Sequence, residues 1–293
     1  YQLPPIVNQN EWNVLKNYYK SMHFFEAHAL KYDPPTYIEL DKIFRQEDED
    51  FIRILNNLRN NCATESDISE LNEFVKTQEQ INKMDGVITL TTHNNKADQI
   101  NRKQLEDLKE EAFTYKAKVA RDFPEHIYPV AQMLELKMGA QVMFIKNDSS
   151  ADKRYFNGKI ARVSSLKKDE IKVILDGEKV EYLLQTEEWA NKKYTINSSN
   201  KELEEEVVGT FTQYPIKLAW AVTVHKSQGL TFEKAIVDVG QAFAAGQVYV
   251  ALSRLRSLKG LVLRSPINSS VIVTDNEVNT FVSDQEKPSE LGK

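Results

Sequence analysis

Leu218-Ala-Trp-Ala-Val-Thr-Val-His-Lys-Ser-Gln-Gly-Leu-Thr-Phe232 runs apolar through Val222 and then changes character. Thr223, His225, Lys226, Ser227, Gln228 and Gly229 bring hydroxyls, a cation, an amide and a glycine into one short stretch. Such side chains make poor core. At the end of a strand they make a loop suited to phosphate oxygens, and Gly229 lets the main chain come close to a ligand. The alternative is a solvated turn whose lysine and histidine face water. Further on, Gly246-Gln-Val-Tyr-Val-Ala-Leu-Ser-Arg-Leu-Arg256 sets Val248, Tyr249, Ala251 and Leu252 at helical spacing. That helix delivers Arg254 at its end, where a cation can stabilise charge developing in phosphoryl transfer. The alternative is an arginine packing its stem on the helix, which Arg256 fits better than Arg254.

Outward from this stretch, Val87-Ile-Thr-Leu-Thr91 predicts a short buried parallel strand that breaks into a polar loop and a helix reaching Leu108. Strand, loop and helix in that order are α/β grammar, and ligands in such sheets gather at the carboxyl ends of strands. Thr92 or Asn94 in that loop also suits a helix cap. Apolar spacing predicts helices over 11–20, 48–60 and 66–82, and the aromatics near Phe24 predict a strand. From Gly139 short strands are predicted over 140–145, 159–163, 171–175 and 180–184, with Asp176-Gly177 as a hairpin turn. They predict a small antiparallel barrel inserted into an α/β domain. The α/β grammar returns at Pro215, with strands over 235–239 and 261–263. Residues after Arg264 are polar and weakly patterned, and read as a tail or the lead into a further domain.

The chain has 293 residues and a net charge of −5, which argues mildly against nucleic acid. The charge is uneven. Between Pro215 and Arg264, Lys217, Lys226, Lys234, Arg254, Arg256, Lys259 and Arg264 face only Glu233 and Asp238, a local +5. A basic site on an acidic body suits a selective groove. No run of eighteen apolar residues suggests a membrane span, and the first residues lack the pattern of a signal peptide. The lone Cys62 excludes an intrachain disulfide and makes a reducing cytoplasm, in a bacterium the nucleoid, the expected compartment. The missing initial methionine suggests a piece of a longer protein.

These motifs resemble those of the PIF and RecD-like helicases of superfamily one. The stretch around Lys226 resembles their motif V and that around Arg254 their motif VI. Gln2-Leu3-Pro4-Pro5 resembles the end of motif III, Ile43-Phe-Arg-Gln46 motif IV, and Leu90-Thr-Thr-His-Asn-Asn-Lys-Ala-Asp-Gln-Ile-Asn101 motif IVa. Gly139 to Asp148, followed by Phe156-Asn-Gly158, resembles the family's SH3-like insertion. The resemblance covers roughly residues 1–264, and its motifs stand in the family's order. It implies a RecA-like parallel sheet with helices on both faces, carrying an inserted SH3-like antiparallel β-barrel. It divides the chain into the end of a first motor domain (1–35), a second motor domain (36–137 and 214–265), the barrel (138–213) and a tail (266–293).

The resemblance also implies roles. Arg254, Arg45 and Gln2 would act on the γ-phosphate, and Gln46, Gln228, Gly229 and Gln247 would lie against the nucleotide. Thr91, Thr92, His93, Asn94, Thr223, His225, Lys226 and Ser227 would face single-stranded DNA. ATP with Mg2+ is the implied cofactor, single-stranded DNA and forks the partners, 5′-to-3′ the direction and a monomer the state. One departure matters. No Gly-x-x-x-x-Gly-Lys-Ser/Thr occurs in the chain, so the phosphate-cradling loop and the metal ligands are expected upstream, and the chain alone is expected to be inactive. Two alternatives are a non-catalytic nucleic-acid-binding module and a protein-interaction module built on the barrel.

Overall fold

The computed structural model describes the chain apart from residues 1, 2, 4, 6, 8, 34, 35, 37, 39–41, 151, 197–202, 274 and 285–293. Gln2 and Pro4 of the motif III stretch therefore lie outside the described residues. Helices α1 (Gln9–Leu15), α2 (His28–Tyr32), α3 (Glu49–Arg59), α4 (Glu65–Asn72) and α5 (Gln78–Asn82) come first, then β1 (Ile88–Thr91) and α6 (Asn94–Asp107). A strand-rich stretch follows: β2 (Ala112–Lys116), β3 (Lys118–Arg121), β4 (Met133–Lys137), β5 (Gln141–Phe144), β6 (Ile160–Lys167) and β7 (Glu170–Leu175). It continues through β8 (Glu181–Leu183), β9 (Glu187–Ile196), β10 (Leu203–Gln213) and β11 (Ile216–Leu218). The chain then forms β12 (Ala221–Thr223), β13 (Ala235–Asp238), α7 (Gln247–Leu252), β14 (Leu261–Leu263) and α8 (Asn276–Ser283).

A four-stranded sheet has the order β12-β1-β13-β14. Strands β13 and β14 pair in parallel, with Ala235 opposite Leu261 and Val237 opposite Leu263. Strands β1, β12, β13 and β14 are buried throughout, their threonines and Asp238 included, so they show none of the exposed–buried alternation of a half-solvated strand. A parallel sheet with helices is thus present. Helix α3 forms where the spacing predicts: Phe51, Ile54, Leu55 and Leu58 make one buried face, and the Asp48 side chain accepts from the Phe51 N–H at 3.1 Å.

Three local expectations need correction. The helix expected over 66–82 is broken in two, because Thr64 and Thr77 each build a capping box. Between them the chain pairs with β14: Leu263 N–H donates to Phe74 O at 2.9 Å and Lys76 N–H to Leu263 O at 3.0 Å. No strand forms at Phe24. Phe24–Glu26 is a 3-10 turn, which lets neighbouring rings share one target: Phe25 stacks on Phe281 at 4.5 Å and Phe24 meets it edge-on at 5.6 Å. A strand would send the two rings to opposite faces. Phe281 itself belongs to α8, so the weakly patterned residues after Arg264 fold back. Asn72 pins the segment by exchanging two hydrogen bonds, 2.8 and 2.9 Å, with the Ile267 backbone.

The chain divides into two compact units. The first comprises Tyr1–Met84, Thr89–Thr92 and Thr223–Lys293, the second Asp85–Ile88 and His93–Val222. In the second unit an antiparallel five-stranded sheet has the order β11-β5-β6-β7-β8. A turn joins β7 to β8 at Asp176-Gly177 as expected, but only Gly177 takes a positive φ (+83°), and the loop is longer than a two-residue hairpin, with Ile174 opposite Glu181. Val142, Phe144, Ala161, Val163, Ile171, Val173 and Leu175 form its buried core. Leu105 of α6, Tyr115 of β2 and Leu134 and Leu136 of β4 join that same core, so this unit starts well before the change of grammar at Gly139. A three-stranded antiparallel sheet, β3-β10-β9, carries a long hairpin with a bulge between Val207 and Gly209.

Asp67 is the first unit's most heavily bonded buried carboxylate. It is fully buried and accepts from Arg53, from Asn57 Nδ2 at 2.9 Å, and from the Thr64 N–H and hydroxyl, each at 2.9 Å. Burial opposes its ionisation, yet the donors from Thr64, Asn57 and Arg53 outweigh it and hold its pKa below the ordinary 3.8. Its stabilisation is complete above the unfolded carboxylate's pKa and is lost as pH falls through the lower folded value. Asp67→Ala should cost about 3 kcal/mol in urea unfolding at neutral pH. The gap to wild type should narrow on acidification; an unchanged midpoint would refute this assignment.

Candidate phosphate and nucleic-acid site

Arg254 follows the C-terminal end of α7 and is 6% exposed. The last carbonyls of a helix lack intrahelical partners, and here they take side-chain donors. Arg254 Nε donates to Val250 O at 2.9 Å, and its Nη2 donates to Ser253 Oγ at 2.8 Å. Arg45 reaches the same place from just before α3. Its Nη1 donates to Ser253 O at 3.0 Å and its Nε to Thr231 Oγ1 at 2.9 Å. Burial lowers the Arg254 pKa to about 10, and the charge of Arg45 adds to the effect. Burial lowers Arg45 as well. Both remain cations at neutral pH. Among the described residues neither guanidinium pairs with a carboxylate, so two like charges share a partly buried place held by neutral acceptors.

Gln46, expected against the nucleotide, is buried and turned to this cluster. Its Nε2 donates to Ser253 O at 3.1 Å and to Leu255 O at 2.7 Å. The amide nitrogen therefore ties the motif IV stretch to the motif VI stretch. Gln247 is wholly buried in α7. Its Oε1 accepts from the Phe243 and Ala244 N–H groups at 3.0 and 3.3 Å, and its Nε2 has no partner among the described residues. Arg256 forms an exposed pair with Glu233 at 2.9 Å, the surface role its spacing suggested.

The motif V stretch leaves β12 as a 3-10 turn, His225–Ser227. The Val224 N–H donates to Thr91 O at 2.8 Å, setting the turn against the end of β1. Ser227 is fully buried, and its hydroxyl donates to Val224 O at 2.7 Å. Thr223 is buried too and accepts from the Lys226 N–H at 3.4 Å. Thr91 and Thr92 are likewise buried. These four side chains were expected to face a nucleic acid; they face inward and shape the strand ends. Lys226, Gln228 and Gly229 are exposed and His225 half-buried. Gly229 has φ +80° with open space where a Cβ would be, so the backbone twist is what requires glycine. Burial lowers the His225 pKa, leaving the loop's charge to Lys226. In the second unit, His93 and Asn94 are exposed, and His93 takes the N-cap position of α6 without a side-chain cap bond.

Beyond Gly229 the loop is stitched to the arginine cluster. The Phe232 N–H donates to Arg254 O at 2.9 Å, and the Arg256 N–H donates to Phe232 O at 3.3 Å. Sequence reasoning missed Thr231 and Ser253, since Arg45, which bonds both, lies more than 180 residues away. Elsewhere, His23, Asp275 and Glu277 bring possible metal-ligand atoms within 4.8 Å of one another. The His23–Asp275 hydrogen bond (2.8 Å) and the capping of α8 by Asp275 account for two of these three residues.

No family model matches the chain. Human ATP-dependent DNA helicase PIF1 is 30% identical over 273 residues, covering 89% of this chain and 38% of the relative. The crystal structure of Bacteroides sp. Pif1 in complex with ADP-AlF4 superposes with a TM-score of 0.84 at 36% identity, over 96% of this chain and 64% of that one. Bacteroides Pif1 bound to single-stranded DNA gives a TM-score of 0.69 at 36% identity, over 97% and 64%. The chain thus spans between about a third and two thirds of the length of these relatives. The chain matches these proteins over nearly its whole length, in sequence and in fold, and it belongs to the Pif1-like family of superfamily-one helicases.

Proposed function

We propose that this chain is the C-terminal part of an ATP-dependent DNA helicase. On this reading residues 36–137 and 214–265 are its second RecA-like motor domain and 138–213 its SH3-like barrel. Residues 1–35 end the first motor domain, and the segment that carries α8 belongs with the first unit. The observation that supports it most is the pair of partly buried guanidiniums without a carboxylate. A paired arginine would be neutralised already. An unpaired cluster in a low-dielectric place favours an arriving phosphoryl group, and more so as charge builds on it in transfer.

In this assignment Arg254 and Arg45 act on the γ-phosphate of ATP, while Gln46 holds the two stretches together. Gln2 is proposed beside them from the motif alone, as are nucleotide contacts by Gln228, Gly229 and Gln247. Mg2+ would neutralise phosphate charge, held by ligands outside this chain. Lys226 is the loop's contact to a DNA phosphate, with neutral His225 beside it as a hydrogen-bonding partner. His93 and Asn94 are proposed as contacts on the second unit. Single-stranded DNA and forks are the proposed substrates, 5′-to-3′ the direction, a monomer the working state and the cytoplasm the compartment.

Arg254→Ala in the complete protein should cut DNA-stimulated ATP turnover by about 10³-fold with DNA affinity unchanged. Steady-state kinetics beside fluorescence anisotropy decides this, and near-normal turnover removes the finger role. Lys226→Ala should weaken oligonucleotide binding and reduce its salt slope by about one. A wild-type slope would mean that Lys226 touches no phosphate. The chain alone, without a phosphate-cradling loop, should hydrolyse no ATP; hydrolysis that vanishes in Arg254→Ala would sink that expectation.

A further inference from the structure

We infer that Ser253 is a positioning residue whose hydroxyl sets the Arg254 guanidinium for phosphoryl transfer, beside an Arg45 held by the same residue's carbonyl, an inference that rests on the reading of Arg254 and Arg45 given above. Three of the cluster's hydrogen bonds converge on it. Its carbonyl accepts from Arg45 Nη1 (3.0 Å) and Gln46 Nε2 (3.1 Å), and its hydroxyl accepts from Arg254 Nη2 (2.8 Å). The hydroxyl has one proton, and it goes to Val250 O at 3.0 Å. The lone pairs are thereby left facing Arg254. Val250 O also accepts from Arg254 Nε at 2.9 Å, so serine, helix end and guanidinium form a closed set.

The chemistry of the acceptors matters. Two nearby cations repel, and left alone their side chains splay apart. A carboxylate would hold them but would cancel the charge needed by an incoming phosphate. A hydroxyl and carbonyls hold direction without cancelling charge. The Ser253 hydroxyl is engaged on both sides, donating to Val250 O and accepting from Arg254, so it acts through that arginine. Only Ser and Thr at this position supply a hydroxyl on the β-carbon; alanine keeps the backbone carbonyl and removes the side-chain acceptor.

The test is steady-state ATPase kinetics on the complete protein with saturating oligonucleotide, together with DNA affinity and melting temperature. Wild type, Ser253→Ala, Ser253→Thr, Arg254→Ala and the double variant Ser253→Ala/Arg254→Ala are compared. Ser253→Ala should lower kcat on the order of tenfold, since misplacing a catalytic group by an ångström costs up to about 10²-fold. DNA affinity should stay unchanged, and Ser253→Thr should recover most of the rate. In the Arg254→Ala background the serine change should cost nothing further, because its effect passes through that arginine. This last comparison holds even if the threonine proves too large and lowers the melting temperature. If Ser253→Ala turns over like wild type while Arg254→Ala is slow, the inference is wrong and the arginine reading stands. A full additional loss in the double variant overturns it as well. If Arg254→Ala is itself as fast as wild type, the reading beneath the inference fails, and the inference fails with it.

Discussion

Helix α7 ends with carbonyl groups that no further turn of helix satisfies, and those carbonyls organise the first unit's polar centre. Val250 O and Ser253 O between them take donors from Ser253, Arg254, Arg45 and Gln46. Leu255 O takes a second bond from Gln46, and Arg254 O takes the N–H of Phe232. The entry to α3, the exit of the motif V loop and the end of α7 therefore meet through backbone oxygens rather than through charge pairs. Remove that arrangement and Arg45 has only Thr231 to direct it. The loop bearing Lys226 would lose its register with the helix at the same time.

Inward-facing hydroxyls explain how a short polar loop stays ordered. Ser227 and Thr223 spend their oxygens on backbone atoms within the turn. What remains outside is a cation and a glycine-kinked backbone. The division of labour is physical: small polar residues define the path and one long side chain carries the field. It also separates residues whose loss alters the loop's shape from the one whose loss alters its charge.

Much of the scaffold was legible in the sequence. Phe51, Ile54, Leu55 and Leu58 repeat with the period of a helix, and the aspartate before them caps it. Asp176-Gly177 announces a turn because Gly177 takes a positive φ that most other residues avoid. The apolar strands of the central sheet are buried on both faces and read as plain runs. What escaped was set by distant partners. Phe24 and Phe25 looked like strand residues until Phe281 appeared beneath both of them. The β9–β10 hairpin carries Lys192, Lys193, Glu205 and Glu206 and shows little alternation of apolar residues. Of the site, Arg254 and Arg45 stood out by motif, whereas Thr231 and Ser253 did not, because an oxygen that only accepts hydrogen bonds from a distant arginine leaves no pattern.

The uncompensated arginine pair has a thermodynamic side. Gathering two cations in a place with reduced access to water costs folding free energy, and here no carboxylate returns it. The folded chain therefore keeps a standing demand for anions that the unfolded chain, with its arginines apart and hydrated, lacks. Any anion that settles between Arg45 and Arg254 shifts the folding equilibrium by mass action, in proportion to the logarithm of its concentration once the site fills. On the proposed reading, conformational stability would report occupancy: the melting temperature should rise with the phosphate or sulfate content of the buffer, and variants are to be compared at fixed anion activity.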